Sequence, residues 1–397
     1  MNLLTLKNLY HDYSLKRGLF NYRKSCRASL SEIDNLQDCF SHSYFQSIAK
    51  NYSKKLGSVD LSWLASEADK IIKKPYLDIT KKNLDTFGIN SNDYISFAPY
   101  YWCETEENPL SKSSVKPSYK DSRSNPFLAN QSDKPKLAQL CARVHLLALA
   151  SAKYKEKHYI EYIHEQLNIW FVEQKTRMSP NMKYAQIKPW KGAKRGYGII
   201  DSRWIILLLD ALVILKYEVN YEVDEGVMSW LIEFADWILT SSSGLNEIMR
   251  ENNRGSWVDV LLCYIALSVN KQDVTISIIE HNLANRLSKQ IGEDGLQPLE
   301  MRRYNPVSYS LYNMYPLYYL YNLEQHFNVD DNEREHINRL RGSEVSLSKL
   351  ITGNEKGKIE HINFCSSYNL NLYYPYSHAQ LSNFPCIIPF TENQDEK

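Results

Sequence analysis

After about residue 135, apolar residues recur at spacings of three and four along most of the chain. Leu137, Leu140, Val144, Leu147 and Ala148 form one stripe, and Ile160, Ile163, Leu167, Trp170 and Phe171 form the next. Met228, Leu231, Ile232, Ala235 and Leu239 repeat the pattern. Val260, Leu261, Tyr264 and Leu267 follow, and then, less regularly, Val274, Ile278, Leu283 and Leu287. Residues three or four apart share a helix face, so each stripe predicts an amphipathic helix packed through one side. Periodicity is already visible from Leu61 to Ile72. Alternating Val- and Ile-rich runs are nearly absent, which argues against a large sheet. Short turns between the stripes make sequential helices antiparallel neighbours. The pattern predicts an all-α chain of helical hairpins, closed into an α/α toroid or extended as a solenoid. No fixed-period repeat favours the solenoid.

Two stretches interrupt this rhythm. Residues 103–133 are rich in Ser, Pro, Lys and Asn and carry no helical face. A loop of that length inside a compact chain is expected to be a lid, a binding loop or a disordered segment. The tail after Ser346 is polar and then Tyr-rich (Tyr368, Tyr373, Tyr374, Tyr376), and reads as a small β or irregular extension. The expected organisation is a weakly periodic lead segment over 1–60, a helical body over 61–345 and an extension over 346–397.

Composition narrows the function classes. The net charge is +1, so no global positive field would collect a nucleic acid; local basic clusters could still meet an acidic polymer. There are 29 Tyr and 8 Trp against 12 Phe, a bias towards rings with a polar edge. Such rings stack on sugar faces while hydrogen-bonding hydroxyls; the plainer alternative is Tyr standing in for Phe in core and surface. The 7 cysteines contain no C-x-x-C pair, which predicts reduced thiols, with Cys141 and Cys263 in the core. The first residues lack the apolar stretch of a signal peptide, and the longest apolar run, Trp204 to Leu209, is far too short for a membrane span. A cytoplasmic location is therefore the default, with export by a signal-independent route as the alternative. The dispersed histidines give no metal motif: His145 reads as a core residue, and His158 and His164 as surface residues. No cofactor motif is present.

Four stretches place polar side chains near helix starts. They are Pro99-Tyr100-Tyr101-Trp102; Asn181 to Gln186 with the basic and Gly-containing run to Arg203; Asn252-Asn253-Arg254-Gly255-Ser256-Trp257; and Glu300-Met301-Arg302-Arg303 leading to Ser308-Tyr309-Ser310. Ser256 reads as an N-cap with Asp259 three residues on. A helix starting there would aim its positive end, Asn253 and Arg254 at one region, a sound place for a carboxylate. The same residues are equally compatible with a simple turn and a surface Arg254. A glycosidase would need two facing carboxylates. Asp201, Asp210, Asp259 and Glu300 are candidates, and nothing in the sequence pairs them.

In their order and spacing, from about Ala65 to Phe327, these stretches resemble the alginate-lyase superfamily of polysaccharide lyases. Ser96 to Trp102, the lid-like Tyr119 to Pro126, Thr176 to Gln186, Gly198 to Arg203, Asn252 to Trp257 and Asp294 to Glu300 carry the likeness. It implies an α/α toroid, an incomplete barrel of antiparallel helical hairpins with a lid-like loop, that cleaves an acidic, uronate-containing polysaccharide by β-elimination. Carried over by position, it assigns Asn253 to the uronate carboxylate, Arg303 (or its neighbour Arg302) to its support, and Tyr309 to base and acid. Nearby Arg charge would favour the Tyr309 phenolate. Tyr100, Tyr101, Trp102, Tyr119, Arg123, Asn181, Tyr184, Gln186, Arg203, Asn252 and Trp257 would line the substrate cleft. The family pattern has His directly after the Asn pair, and here Arg254 stands in its place. Arg stays protonated and cannot serve as a base. The expected activity is therefore syn elimination on mannuronate- or glucuronate-type polymers. The alternatives are a carbohydrate-binding toroid with reduced catalysis and a glycoside hydrolase on the same fold.

Overall fold

The computed structural model describes residues 22–82 (apart from 28, 31–35, 37 and 59–61), 89–102, 117–188, 198–329 and 333–352. Its elements in chain order begin with α1 (Ser43–Ser58), α2 (Leu64–Ile72), β1 (Ile95–Phe97), β2 (Tyr101–Trp102) and β3 (Ser118–Tyr119). Then come α3 (Pro126–Asn130), α4 (Lys134–Tyr154), α5 (Lys157–Leu167) with a π-helical turn over Asn168–Val172, and β4 (Tyr184–Ile187). A 3₁₀ turn, Ile199–Arg203, leads into α6 (Trp204–Val219), followed by α7 (Glu225–Thr240) and α8 (Ser242–Ile248). The chain continues through α9 (Asn253–Ser268), α10 (Gln272–Gln290), α11 (Pro298–Met301), α12 (Pro306–Phe327) and α13 (Glu333–Thr352). The five predicted stripes fall in α4, in α5 with its π turn, and in α7, α9 and α10.

The centre of the body is a helix that carries no stripe. In α6 every residue from Trp204 to Leu215 is buried, and the helix packs against α4, α1 and α9. A helix enclosed on all sides has no polar face, so its sequence is a continuous apolar run rather than a periodic one. The lead segment joins this core: Tyr44, Phe45, Ile48, Ala49, Tyr52 and Leu56 of α1 are buried within it. His145 is buried on α4 beside the Tyr52 hydroxyl, 3.4 Å away, and burial holds its imidazole down to about 3, as a neutral core residue. His158 and His164 are exposed. Cys26, Cys39, Cys141 and Cys263 are buried free thiols; Cys103, Cys365 and Cys386 lie outside the described residues.

Strands are confined, among the described residues, to two small ladders: a parallel pair β1–β4, and an antiparallel pair β2–β3 in which Tyr101 faces Tyr119. In the first ladder Ile95 pairs with Tyr184 and Phe97 with Ile187, so β4 carries one extra residue, and Gln186 there has a left-handed φ of 49°. Gly198 lies against this bulge. A Cβ on it would come within 2.6 to 2.8 Å of Ala185 and Gln186, so the chain can pass only as glycine.

Three expectations need correction. The stretch over 103–133 is not a loop throughout: residues 118–119 form β3, and Asn125 caps the short α3 with its side chain accepting from the Phe127 N–H. A five-residue helix is too short to show a period. Residues 103–116 lie outside the described residues. The α9 N-cap is Asn252, in extended backbone with its side chain accepting from the Arg254 N–H, and not Ser256, which is buried inside the helix and bonded to Gln290. Helix α13 runs through Ser346 to Thr352; residues 353–397, with Tyr368, Tyr373, Tyr374 and Tyr376, lie outside the described residues.

One buried ion pair fixes the start of α9. Arg286 of α10 donates through Nε to Asp259 at 2.8 Å, and through its Nη atoms to the carbonyls of Ile248 and Arg250. It thereby ties the end of α8 and the turn into Asn252–Asn253 to the helices behind them. A Cβ on Gly255 would collide with this guanidinium and with the Arg250 carbonyl. Removing one partner of a buried pair leaves an uncompensated charge and costs about 3–5 kcal/mol. Arg286→Ala should therefore lower unfolding stability by about that amount in urea titration, whereas truncating the exposed Arg27–Asp236 pair should change it by less than about 1 kcal/mol.

Candidate active site

Tyr309 lies in the first turn of α12, which opens with Pro306, and its N–H donates to the Asn305 carbonyl. Its hydroxyl is 2.6 Å from that of Tyr100, just before β2. The Arg303 guanidinium lies across the Tyr309 ring, 3.7 Å from its centroid. That guanidinium is itself held by Asp121, with Nε to Oδ2 at 3.0 Å and Nη2 to Oδ1 at 2.7 Å. Asp121 also accepts from the Tyr304 N–H at 2.9 Å and the Tyr119 hydroxyl at 3.1 Å. Burial works against the Asp121 charge, but the Arg303 bonds and the other donors bring its pKa down to about 2.

Arg303 acts on Tyr309 in the expected direction, and burial acts against it. Burial raises the Tyr309 pKa above the ordinary tyrosine range, and the Tyr100 hydrogen bond and Arg303 charge oppose that rise without cancelling it. Nearby arginine therefore restores part of the acidity that burial takes from the phenol. The side-on fork of Arg303, which would otherwise grip a substrate carboxylate, is filled by Asp121.

Asn253 opens α9, and its N–H and Nδ2 donate to the same oxygen of Glu300, at 3.1 and 2.6 Å. Glu300 belongs to α11 and is buried; its second oxygen has no hydrogen-bond partner among the described residues. Burial raises the Glu300 pKa, against the pull of the two Asn253 bonds. Arg254 donates Nε and Nη2 to the two oxygens of Glu247 at 2.9 and 2.6 Å, and Glu247 is fully buried on α8. The fork of this arginine, too, is filled by a protein carboxylate.

The segment 300–303 joins the two halves of this constellation. Glu300 binds Asn253, and three residues on Arg303 covers Tyr309. Beneath it, Gln290, Gln297 and Asn313 exchange buried hydrogen bonds that lock α10, α11 and α12 together, and Ser256 of α9 joins through Gln290. Arg302 is exposed at the end of α11, so Arg303 is the arginine set against Tyr309. Around this centre, the Tyr101 and Tyr119 rings meet at a tilt across their ladder, and Lys188 lies over Tyr101. The Trp102 indole donates to the Arg123 carbonyl, and Arg123 donates to the Tyr304 hydroxyl. One turn along α12, Tyr312 receives Arg203 over its ring and Trp257 beside it.

Asn181, Tyr184 and Gln186 make other contacts. Asn181 accepts from the Lys183 N–H, and Tyr184 pairs with Ile95. Gln186 donates to Asp201, a buried carboxylate that also accepts from Tyr94 and Ser96. The four carboxylates weighed for a glycosidase are buried apart: Asp201 in this network, Asp210 in α6, Asp259 on Arg286 and Glu300 on Asn253. Lys191, Lys194 and Arg195 lie outside the described residues.

Residues 80–340 match the family model described as alginate lyase. The chain belongs to the alginate lyase family. It is a polysaccharide lyase acting on an acidic polysaccharide. A crystallised alginate lyase from Bacteroides ovatus is 24% identical with a TM-score of 0.65, covering 85% of this chain and 88% of its own. That likeness establishes the fold as an α/α toroid. Alginate lyase A1-III from Sphingomonas species A1 aligns over 82% of this chain and 84% of its own, at 15% identity and a TM-score of 0.44. No curated protein matches the chain. Among the described residues of the lyase, no helix is long and apolar enough to cross a membrane.

Sequence reasoning names Glu300 without its partner and misses Asp121 and Glu247. Asp121, Glu247 and Glu300 each grip a candidate site residue from a different part of the chain, 182, 7 and 47 positions away in sequence. Only Glu247–Arg254 lies within local reach, and nothing in a single sequence marks its partner. Glu300 yields a clean test, because Asn253 uses one carboxyl oxygen only. Glu300→Gln keeps that acceptor and should retain polysaccharide cleavage within about tenfold. Glu300→Ala strands two buried donors, about 1–3 kcal/mol each, and should lower kcat/KM by about 100-fold. Equal losses in both variants would mean that the carboxylate charge itself is needed.

Proposed function

We propose that the lyase cleaves mannuronate- or glucuronate-type linkages by syn β-elimination, with Tyr309 as both base and acid. The observation that carries this reading is the Tyr309–Tyr100 hydroxyl pair at 2.6 Å under the Arg303 guanidinium. The C5 proton of a uronate becomes removable only when the adjacent carboxylate is neutralised and the developing enolate-like charge is held. Asn253 suits that role, since one Nδ2 proton goes to Glu300 and an amide nitrogen carries a second for a substrate carboxylate. Tyr309, as phenolate, takes the C5 proton, with Tyr100 donating to its oxygen and Arg303 beside the ring. The same phenol returns the proton to the leaving O4 oxygen. One residue doing both steps requires proton and leaving group on one face of the sugar, the syn geometry. Arg254, protonated and engaged with Glu247, supplies no second base for anti elimination of guluronate.

Elimination leaves an unsaturated uronate that absorbs in the ultraviolet, whereas hydrolysis does not. Tyr309→Phe should lower that absorbance gain on mannuronan or glucuronan by about 10²–10⁴-fold while leaving glycan binding intact; an active Phe variant contradicts the mechanism. Efficient cleavage of guluronan by the native chain would contradict the syn assignment. The rate should also climb with pH. Because burial raises the Tyr309 pKa, the phenolate fraction increases about tenfold per pH unit and does not level off at neutral pH.

A further inference from the structure

We propose that Asp121 is a positioning residue of the lyase: it holds Arg303 over the Tyr309 ring and so makes proton loss from Tyr309 depend on the seating of residues 118–123. The inference rests on the reading of Tyr309 as the catalytic base. Its basis is the donor set on this one carboxylate. Both oxygens are used twice: Oδ1 accepts from Arg303 Nη2 and the Tyr119 hydroxyl, and Oδ2 from Arg303 Nε and the Tyr304 N–H. Two of these partners lie on the segment before α12 and one on β3, so Asp121 clasps the hairpin to the turn that carries Arg303.

The clasp is selective. Arg123, two residues on, binds the Tyr304 hydroxyl at 2.9 Å and lies over that ring, so it reaches Tyr304 rather than Arg303. Hairpin docking and arginine placement are thus separable: Arg123 serves the first, and Asp121 serves both. A bidentate carboxylate is the partner that fixes the plane of a guanidinium, and the plane decides whether the charge faces the Tyr309 ring. The charged and titratable groups facing Tyr309 are Tyr100 before β2, Tyr119 on β3, Asp121 after it, and Arg303 ahead of α12. Arg303 is in contact with the ring, while Asp121 is bonded to the guanidinium. The arginine charge therefore outweighs that of the aspartate at the phenol. Losing the placement of Arg303 should make Tyr309 harder to ionise, even though a negative charge is lost with it.

The test is the pH profile of kcat on mannuronan, followed by ultraviolet absorbance, for Asp121→Asn, Asp121→Glu, Arg303→Gln and the double variant Asp121→Asn with Arg303→Gln. Asp121→Asn cannot accept both guanidinium bonds, so its rising limb should move to higher pH, with kcat at pH 8 falling about tenfold for every pH unit the limb moves. Asp121→Glu, which keeps the carboxylate, should lie nearer the native profile. In the Arg303→Gln background, Asp121→Asn should move the limb no further. A limb unmoved by Asp121→Asn, or moved equally in both backgrounds, overturns the proposal and leaves Asp121 as a hairpin anchor. Thermal midpoints of all variants separate lost folding from lost tuning. Tyr309→Phe separates the two levels of the account. If it stays active, the reading of Tyr309 fails; if it is inactive while Asp121→Asn leaves the limb in place, only the positioning role fails.

Discussion

A buried carboxylate must find donors, and Glu300 finds two in a single residue, the backbone N–H and side-chain amide of Asn253. The rest of the site is arranged around that contact. It binds the start of α9 to the short α11, and three residues beyond Glu300 the chain delivers Arg303 to the face of Tyr309. Arg286 secures the same start of α9 from behind, through Asp259 and two carbonyls. The site thus rests on ion pairs and polar bridges between helices, with an almost wholly apolar α6 at the centre of the body.

The charges at the site are arranged with economy. Both arginines nearest the centre have their forks filled by protein carboxylates, Arg303 by Asp121 and Arg254 by Glu247. They supply fixed positive potential and geometry. Such preorganised, already paired charges need little rearrangement when charge develops in a transition state. Burial keeps the proton on the Tyr309 phenol, and Tyr100 with Arg303 offset only part of that effect.

The sequence is legible where one side of a helix faces water. The stripes of α4, α5, α7, α9 and α10 predict those helices, whereas α6 carries no period because it is apolar all round. Helix α1 escapes a periodicity reading although Tyr44, Phe45, Ile48, Tyr52 and Leu56 lie at helical spacing, because its core face is built partly of Tyr, which also serves at polar positions. At the site, the motif residues Asn253, Arg303, Tyr100 and Tyr309 are legible and are joined through one network. Their holders are not, because the choice of Asp121 as partner for Arg303 depends on how two distant turns meet in space. The N-cap expected at Ser256 sits four residues earlier for a related reason. Asn252 and Ser256 are both capping types, and only the backbone, extended at Asn252, decides between them.

The claim on which the mechanism stands is that ionisation of Tyr309 governs the rate. Replacing Tyr309 with a fluorinated tyrosine lowers the pKa of that phenol while leaving its shape and hydrogen bonds nearly unchanged. The rising limb of kcat against pH should then move to lower pH by about the drop in the phenol pKa. A limb that stays in place, with turnover retained, would contradict that claim.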